Sequence, residues 1–450
     1  MEVRENQTIE SIIDSSPVGR FQGVIIAFCA LVAMIDGFDT QAIAFVAPEI
    51  AAAWHIAPST FGPVFGVGLL GGLLGAMIFG FAGDRFGRKP TLALAMVLFA
   101  IGSLITPLVQ TMPQLGVLRL LTGFGLGGAV PSFVALTSEY APKRLRSSLV
   151  GLMFCGYPFG AMIGGIASAK LIPAFGWTSV FLVGGALPLL LLPLLVIFLP
   201  ESVGFLALKN DHAAIERILK RVSGAMIWNG NLAVRVPQSR APIAGLFRDG
   251  KATGTFLLWT TLFLSLLLSY FLVNWIPVIA RQSGMSIQTS VIALSVANFG
   301  AVIGCLVVGR LADRFGPAMP ISCAFALGAL AIASIGHVGA SAVLLYAVMF
   351  ATGTLSIGAQ MCTVALVASF YETFLRTTGV GWSIGVGRVG AILGPVLGGL
   401  LLAAGTPIST LFLLVGLASL GAGIAVFAMG RFALPRVRRE ALGTRLRTSP

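Results

Sequence analysis

The stretch at residues 71–104 reads GGLLGAMIFGFAGDRFGRKPTLALAMVLFAIGSL, two apolar runs joined by a charged octapeptide at 83–90. A helix needs about 20 apolar residues, at roughly 1.5 Å of rise each, to cross the hydrocarbon core of a bilayer. The two runs extend outward to 59–82 and 90–110, so each is long enough for one crossing. The stretch therefore predicts two membrane-spanning helices joined by a short basic loop.

The same length criterion identifies twelve apolar stretches, and the composition agrees with them. Of the 450 residues, 57% are hydrophobic and 10% are charged, too few charges to cover a soluble domain. We therefore predict an all-α membrane protein with 12 transmembrane helices. The first run is longer than the core of a signal peptide, so we expect it to be retained. The predicted spans are 21–46, 59–82, 90–110, 114–138, 147–170, 177–199, 253–279, 288–310, 317–336, 340–368, 377–404 and 408–430.

Lysines and arginines outnumber acidic residues by 29 to 16, and their distribution predicts the orientation of the chain. Arg119 and Arg388 lie inside predicted spans, and Lys170 and Arg281 fall on the sparsely charged side. The other 25 of the 29 lie in segments that are cytoplasmic if both termini are. Since cytoplasmic loops carry the excess of basic residues, both termini are predicted to be cytoplasmic. The same bias explains the net charge of +13 without nucleic-acid binding.

The two halves of the chain repeat each other. GDRFGRKP at 83–90 follows the second predicted span and ADRFGP at 312–317 follows the eighth, and Asp84 and Asp313 are 229 positions apart. Repeats of the same orientation predict a substrate site between the halves, near the bilayer midplane. The predicted organisation is an N-terminal six-helix half at 1–199, a cytoplasmic linker with an amphipathic helix at 200–252, a C-terminal half at 253–430 and a basic cytoplasmic tail at 431–450.

These motifs resemble those of a known family. GDRFGRKP resembles the loop motif between helices 2 and 3 of the major facilitator superfamily, and ADRFGP resembles its weaker copy between helices 8 and 9. RLLTGFGLGG at 119–128 resembles the helix-4 motif of the same family. The resemblance covers nearly the whole chain. It implies two pseudo-symmetric bundles that transport a solute by alternating access.

A narrower resemblance is to the aromatic acid:proton symporters. It rests on DGFDTQAIAFVAPEI at 36–50, ALTSEYAPKRLR at 135–146, NWIP at 274–277 and GVGRVGAILGP at 385–395. The DGFD element together with an arginine in helix 11 is fairly specific to that group. The resemblance implies proton-coupled uptake of benzoate-type, hydroxybenzoate-type or phenylpropanoate-type acids.

Four charged residues lie well inside the predicted spans: Asp36, Asp39, Arg119 and Arg388. Each would cost several kcal/mol facing lipid, so each should face the protein interior or a partner. Asp36 and Asp39 are three apart on one helix face, where two carboxylates cannot both ionise cheaply. We expect Asp39 to carry a proton during transport, with Asp36 as its electrostatic neighbour. The alternative is that one of them pairs with Arg119 to hold helices together.

The two arginines have different expected roles. Arg388 lies about eleven residues into helix 11, near the midplane, and no acidic residue lies inside a span of the second half. A guanidinium facing a cavity suits bidentate capture of a substrate carboxylate. The alternative is an ion pair with an aspartate of helix 1, which the substrate could displace. For Arg119 we favour pairing with Asp36 or Asp39, with a contribution to anion binding as the alternative.

The loop motifs carry a candidate conformational gate. In the family such charges form a cluster that latches the outward-facing state. The alternative is positive-inside anchoring, but an anchor needs no aspartate before its arginine. In the second copy Pro317 and Ala318 replace Arg88 and Lys89, so the two loops need not be equivalent. The candidate gate residues are Asp84, Arg85, Arg88, Glu139, Arg146, Asp313 and Arg314.

Further residues are weaker candidates for binding. Asn274 and Gln360 could hydrogen-bond a phenolic hydroxyl or bridge helices, and Tyr157 and Trp382 could stack on an aromatic ring. The glycines at 123–128 lie in an apolar helix with no preceding strand and no following Lys-Ser/Thr. They therefore indicate close helix packing rather than a phosphate loop.

The expected function is a secondary carrier, a monomer in the lipid bilayer, that imports an aromatic carboxylate with protons. An exporter or drug:proton antiporter is the first alternative, and Arg388 argues against it. A receptor is the second, but it would usually need an additional signalling domain. No cofactor is expected, because the five cysteines show no CxxC spacing and no metal cluster appears. No nucleophile–base pair or nucleotide loop appears either, so we do not expect an enzyme.

Overall fold

The structure, a computed structural model, describes residues 9–223, 242–248, 250–339 and 341–433. This part of the chain contains seventeen α-helices and no β-strand. The helices are α1 Ile9–Ser15, α2 Arg20–Ala53, α3 Phe61–Phe86, α4 Arg88–Ile105, α5 Met112–Tyr140, α6 Arg146–Phe154, α7 Gly156–Phe175, α8 Thr178–Phe198, α9 Val203–Leu208, α10 His212–Ser223, α11 Ala252–Gln282, α12 Ile287–Phe315, α13 Ala318–Ile335, α14 Ala342–Thr352, α15 Gly358–Phe370, α16 Thr373–Ala403 and α17 Ile408–Ala428.

Within the described residues, twelve segments are long and apolar enough to cross a membrane, which confirms the predicted spans. The fifth segment consists of α6 and α7, which meet at Cys155, and the tenth consists of α14 and α15 joined by a π-helical turn at Gly353–Ile357. Several helices, such as α2, α5 and α12, extend beyond the predicted stretches because hydropathy marks only the hydrocarbon core, whereas a helix continues into the interfacial region. In contrast, α8 and α13 are one residue shorter than predicted at each end. The first span, predicted as 21–46, is the helix Arg20–Ala53.

The repeat seen in the sequence is also present in the helices. Met112–Tyr140 and the segment Ala342–Phe370 are offset by 230 positions at both ends. Thr178–Phe198 and Ile408–Ala428 are offset by the same 230 positions at both ends. In these two pairs, the corresponding helices of the two halves therefore begin and end at equivalent residues.

The repeat extends to the contacts between helices. A Cβ atom at Gly160 of α7 would overlap the carbonyl oxygen of Met34 in α2. A Cβ atom at Gly390 of α16 would overlap the carbonyl oxygen of Phe263 in α11 in the same way. Met34 and Phe263 are 229 positions apart, so this backbone-to-backbone crossing occurs once in each half. Glycine at both positions lets the helices approach closely, as is common in membrane bundles.

The glycines of the helix-4 motif also pack against backbone. Added Cβ atoms at Gly123 and Gly127 of α5 would overlap the carbonyl oxygens of Gly68 and Gly72 in α3. At Gly125 the nearest atom would be the backbone nitrogen of Phe99 in α4, at 2.7 Å. These contacts confirm that the glycine run serves close helix packing.

The chain forms two compact units, the first comprising 1–42, 67–164 and 175–238, the second 43–66, 165–174 and 239–450. In the first unit, the apolar face of α10 belongs to the hydrophobic core that also buries Ile9, Ile12 and Ile13 of α1. The amphipathic linker helix therefore packs against the helix that precedes the first span. The remainder of the predicted linker at 224–241 and of the basic tail at 434–450 lies outside the described residues.

The second unit contains a core formed by α11, α12, α13, α15 and α17. The rings of Phe65 and Trp275 meet edge to face, with centroids 5.5 Å apart. The Trp275 indole N–H donates to the carbonyl oxygen of Pro395 at 2.9 Å, so this buried tryptophan is satisfied within the unit. Glu49 and Arg281 form an ion pair at 3.7 Å.

Candidate functional site

Two consecutive residues of the DGFD element in α2, Gly37 and Phe38, pack tightly against α7. A Cβ at Gly37 would overlap the backbone carbonyl of Tyr157 in α7. The next residue, Phe38, packs against Gly164, about two helical turns further along α7. Because both contacts leave no spare space, they fix the rotation of α2 about its axis. The carboxyl group of Asp39 then has one defined environment.

Asp39 is enclosed, with 1% of its surface exposed. The Ser103 hydroxyl of α4 donates to its Oδ1 atom at 2.5 Å, whereas its Oδ2 atom has no hydrogen-bond partner among the residues that the structure describes. Gly184 of α8 makes room for the carboxyl group, since a Cβ there would lie 2.9 Å from Oδ1. Asp39 thus accepts a single hydrogen bond, from a serine that sequence reasoning missed.

Arg119 of α5 lies in the same buried region, with 4% of its surface exposed. Its Nη2 atom donates to the hydroxyl oxygens of Thr106 at 2.7 Å and Thr122 at 3.4 Å. Its guanidinium carbon lies 4.7 Å from the centre of the Phe181 ring, and its Nε atom has no partner. Arg119 and Asp39 interact electrostatically through space, but no ion pair joins them in the part of the chain that the structure describes.

Asp36 is also buried, but it belongs to a different local arrangement. Its Oδ1 atom accepts a hydrogen bond from the Thr40 hydroxyl at 3.1 Å, one turn further along α2. The described part of the first unit therefore holds the buried carboxyl groups of Asp36 and Asp39 on α2 and the buried guanidinium of Arg119 on α5. Each of the three forms a hydrogen bond with a serine or threonine hydroxyl group.

Arg388 is the sixteenth of the 31 residues of α16, so it lies at the middle of the eleventh span. Its side chain is half-buried. Within the described residues it forms neither a hydrogen bond nor an ion pair. The guanidinium therefore keeps all of its donors available, in a segment where a charged group is costly.

The other candidate binding residues differ in whether their side chains already contact other residues of the protein. The Asn274 amide donates to the carbonyl oxygen of Tyr270 in its own helix, at 2.7 Å. Trp382 is 44% exposed and stacks on Trp259, with centroids 6.2 Å apart. Gln360 is half-buried, three residues after the π-helical turn of the tenth span, and its amide has no hydrogen bond among the described residues.

The first loop motif forms a charge cluster with the residue that follows the sixth span. Asp84 and Arg88 form an ion pair. One oxygen of Glu201 accepts the backbone N–H groups of Arg88 at 2.7 Å and Lys89 at 3.1 Å, so Glu201 caps the N-terminus of α4. Sequence reasoning missed Glu201, for which the available signal was the PES tripeptide at 200–202, where the linker begins.

Glu139 joins the same cluster from the end of α5. It accepts the hydroxyl of Ser202 at 2.7 Å and the N–H of Gly204 at 3.3 Å, and it interacts electrostatically with Arg88. Arg146 stands apart from it, because its Nε atom has no partner and, in the described chain, its side chain forms no ion pair. Arg85 lies over the ring of Phe86, with its guanidinium carbon 5.5 Å from the ring centre.

The second loop motif keeps one of these features and lacks another. Arg314 lies over the ring of Phe315 at 5.3 Å, as Arg85 lies over Phe86. Asp313 is exposed and has no ion pair among the described residues, because Pro317 stands where the first copy has Arg88. The structure therefore places Asp313 and Arg314 at the end of α12 without building the cluster seen in the first copy.

The part of the chain that the structure describes contains twelve apolar membrane-spanning segments in two matching halves. One half holds a buried aspartate–arginine region, and the other holds an arginine at mid-span without an ion-pair partner among those residues. These features define a multi-pass membrane transporter. A model of the Major Facilitator Superfamily matches residues 29–383. The chain belongs to this superfamily and, within it, to the aromatic acid:H⁺ symporter family.

Named relatives cover nearly the whole chain. The gallate transporter of Pseudomonas putida is 39% identical over 425 residues, 94% of this chain and 95% of the relative. The 4-hydroxybenzoate transporter PcaK of Acinetobacter baylyi is 36% identical, with 94% of each chain covered. The 3-(3-hydroxy-phenyl)propionate transporter of Escherichia coli is 37% identical, covering 90% of this chain and 93% of the relative.

Solved structures agree on the fold. The xylose transporter XylE from E. coli, in a partially occluded inward open conformation, aligns with a TM-score of 0.69 at 16% identity. The alignment covers 92% of this chain and 98% of XylE.

Proposed function

We propose that this protein carries an aromatic carboxylate together with a proton across the bacterial inner membrane, by alternating access, with both termini in the cytoplasm. The substrate class follows the relatives, whose names include gallate, 4-hydroxybenzoate and 3-(3-hydroxy-phenyl)propionate. The observation that carries the proposal is Arg388, a half-buried arginine at the middle of a span with no partner among the described residues.

Arg388 suits a carboxylate substrate for two reasons. A charge at the centre of a bilayer is unfavourable by at least ~2.5 kcal/mol unless a counter-charge or water accompanies it, so an anion is the natural partner. The planar guanidinium can also donate two parallel hydrogen bonds to one carboxylate, which fixes the orientation of the ligand. Gln360, whose amide is unused among the described residues, is our proposed partner for a polar substituent on the ring.

Asp39 is the proposed proton carrier, with Asp36 as its neighbour on the same helix. A buried carboxylate with one donor is unfavourable, so a proton on Asp39 removes a large desolvation cost. When the proton leaves, Arg119 is close enough to compensate the negative charge electrostatically. The site can therefore hold either protonation state, which a coupled carrier requires.

Asp84, Arg88 and Glu139, together with Glu201, are the proposed cytoplasmic latch of the first half. Their contacts join α3, α4, α5 and the start of the linker through the Asp84–Arg88 ion pair, the Glu201 cap of α4 and the hydrogen bond from Ser202 to Glu139. The contacts lie at the ends of these segments, on the side that the proposed orientation assigns to the cytoplasm. In the second copy Asp313 and Arg314 lack such partners among the described residues, so we assign the latch to the first copy.

Uptake into proteoliposomes tests the substrate class. The purified full-length protein would be offered radiolabelled 4-hydroxybenzoate, gallate, pentanoate and benzyltrimethylammonium, each at several concentrations, with protein-free liposomes as the blank. We expect saturable uptake of the two aromatic acids, weaker uptake of the aliphatic acid and none of the aromatic cation. Uptake of the cation without either aromatic acid would contradict the proposal and favour the drug antiporter.

A further inference from the structure

Ser103 makes the two carboxyl oxygens of Asp39, the proposed proton carrier, different from each other: one accepts a hydrogen bond and the other does not. Its hydroxyl is fully buried and lies 2.5 Å from Oδ1 of Asp39, the single hydrogen bond that this carboxyl group makes in the described chain. Because the serine proton points at Oδ1, the acid proton of a neutral Asp39 belongs on Oδ2. That oxygen is the one the structure leaves without a hydrogen-bond partner.

The groups that face Asp39 come from several helices. α4 presents Ser103, α8 presents Gly184 and the Phe181 ring that covers the guanidinium, and α5 presents Arg119. Asp36 lies one turn earlier on the same helix. Arg119 is thus the one charged group that another helix brings to Asp39 among the described residues.

The end of the third span separates the two opposite charges. Ser103 binds Asp39, and Thr106, three residues later, binds Arg119 at 2.7 Å. The Thr106 hydroxyl itself donates to the carbonyl oxygen of Gly102, so its lone pairs face the guanidinium. One turn of chain therefore carries both hydroxyl groups, one on each partner, and Asp39 and Arg119 interact without closing into an ion pair.

We propose that Ser103 is the positioning residue that allows Asp39 to release its proton, an inference that rests on the proposed proton-coupled uptake. The O–H bond on Oδ2 forms when a proton arrives from the outer water and breaks when the proton passes to the inner water. The bonding electron pair stays on the carboxylate. The resulting anion is held by the Ser103 hydroxyl at Oδ1 and by the field of Arg119, and Ser103 keeps its own proton throughout.

Removing this hydroxyl changes proton release in one direction. A hydroxyl that donates to a carboxyl group favours the charged form over the neutral one. Ser103→Ala should therefore make Asp39 hold its proton more tightly. The external pH that gives half-maximal uptake should rise by about one unit, the size expected for one hydrogen bond to a charged group. Net uptake should slow because release to the inside becomes slower, whereas exchange of substrate with the proton retained should continue.

The test compares full-length wild type with Ser103→Ala, Ser103→Thr and Ser132→Ala in proteoliposomes. Ser132 is the matched control, since its hydroxyl is buried and has no hydrogen-bond partner. Initial rates of 4-hydroxybenzoate uptake would be measured over a series of external pH values. Counterflow exchange at equal pH on both sides would show that each variant is folded and binds substrate.

We expect Ser103→Ala to shift the pH profile upward and keep counterflow, and Ser103→Thr and Ser132→Ala to retain the wild-type profile. The inference is overturned if Ser103→Ala matches Ser132→Ala, or if Ser103→Thr behaves like Ser103→Ala. Failure of wild type to take up any aromatic acid would instead overturn the proposed function, and the inference with it. The two failures are therefore distinguishable.

Discussion

The carboxylate of Glu201 occupies the space that a side chain at position 87 would fill. Gly87 has a φ angle of +106°, which L-residues rarely adopt, and a Cβ there would lie 2.5 Å from Oε2 of Glu201. The other oxygen of Glu201 accepts the first backbone N–H groups of α4. The second glycine of GDRFGRKP is thus explained by a residue at the start of the linker, 114 positions further along the chain.

Comparing the two loop motifs separates two effects of glycine on stability: its tolerance of a positive φ angle and the space that it leaves for Glu201. Gly316 also has a positive φ, +83°, but a Cβ there would meet nothing within 4 Å. Alanine at either position should cost about 1–2 kcal/mol of backbone strain. Only Gly87→Ala also displaces Glu201 from its cap, so its thermal midpoint in detergent should fall further than that of Gly316→Ala. Equal shifts in the two variants would show that the contact with Glu201 contributes nothing.

The repeated glycine crossing gives a second prediction about stability. Gly160→Ala and Gly390→Ala should each push the crossing helices apart, at a cost of about 1–3 kcal/mol for overpacking. Gly381→Ala is the matched control, since position 381 lies in the same helix as Gly390 and faces open space. Thermal unfolding of the purified variants measures the difference. If Gly390→Ala were as stable as Gly381→Ala, the crossing would be looser than described.

Much of this fold could be predicted from the sequence, because a bilayer imposes simple requirements on the segments that cross it. A span must be about 20 residues long and nearly free of charge, so hydropathy finds it without knowledge of its neighbours. The four charged residues inside the spans, Asp36, Asp39, Arg119 and Arg388, stand out for the same reason. The repeat was visible because loop motifs and glycines recur at an offset of 229 or 230.

The partners of those charges could not be predicted in the same way. Ser103 and Thr106 look ordinary in an apolar run, and their importance depends on the rotation of α4 toward α2 and α5. Glu201 meets Arg88 across 113 positions, a contact that no local pattern encodes. The face on which Trp382 lies was equally hidden, because the polar residues of the eleventh span form no clear stripe.

Arg388→Lys tests whether the arginine binds the substrate carboxylate through two parallel hydrogen bonds from its planar guanidinium group. Lysine keeps the charge but offers a single compact ammonium group, so one of two parallel hydrogen bonds is lost. We expect the half-saturation concentration for 4-hydroxybenzoate to rise at least about tenfold, the equivalent of about 1.4 kcal/mol. Arg310→Lys, at an exposed arginine near the end of α12, serves as the matched control. Wild-type affinity in Arg388→Lys would count against carboxylate capture at this residue.

Asp39→Asn should separate proton coupling from substrate movement. Asparagine has nearly the same shape and can still accept the Ser103 hydrogen bond, but it cannot gain or lose a proton. Accumulation driven by a proton gradient should be abolished, whereas counterflow exchange of labelled 4-hydroxybenzoate should persist. Thr40→Ser is the conservative control, because it changes the neighbouring residue but keeps the hydroxyl that donates to Asp36. If Asp39→Asn still concentrated substrate like wild type, another residue would carry the proton.

The most direct measurement of the central claim is uptake of 4-hydroxybenzoate by wild-type proteoliposomes with and without an inward proton gradient, while an internal dye reports pH. Symport predicts that the gradient drives accumulation above the external concentration, that a protonophore removes the accumulation, and that an inward substrate gradient alone acidifies the lumen. Substrate entry that is indifferent to both the gradient and the protonophore, with no acidification of the lumen, would contradict the account.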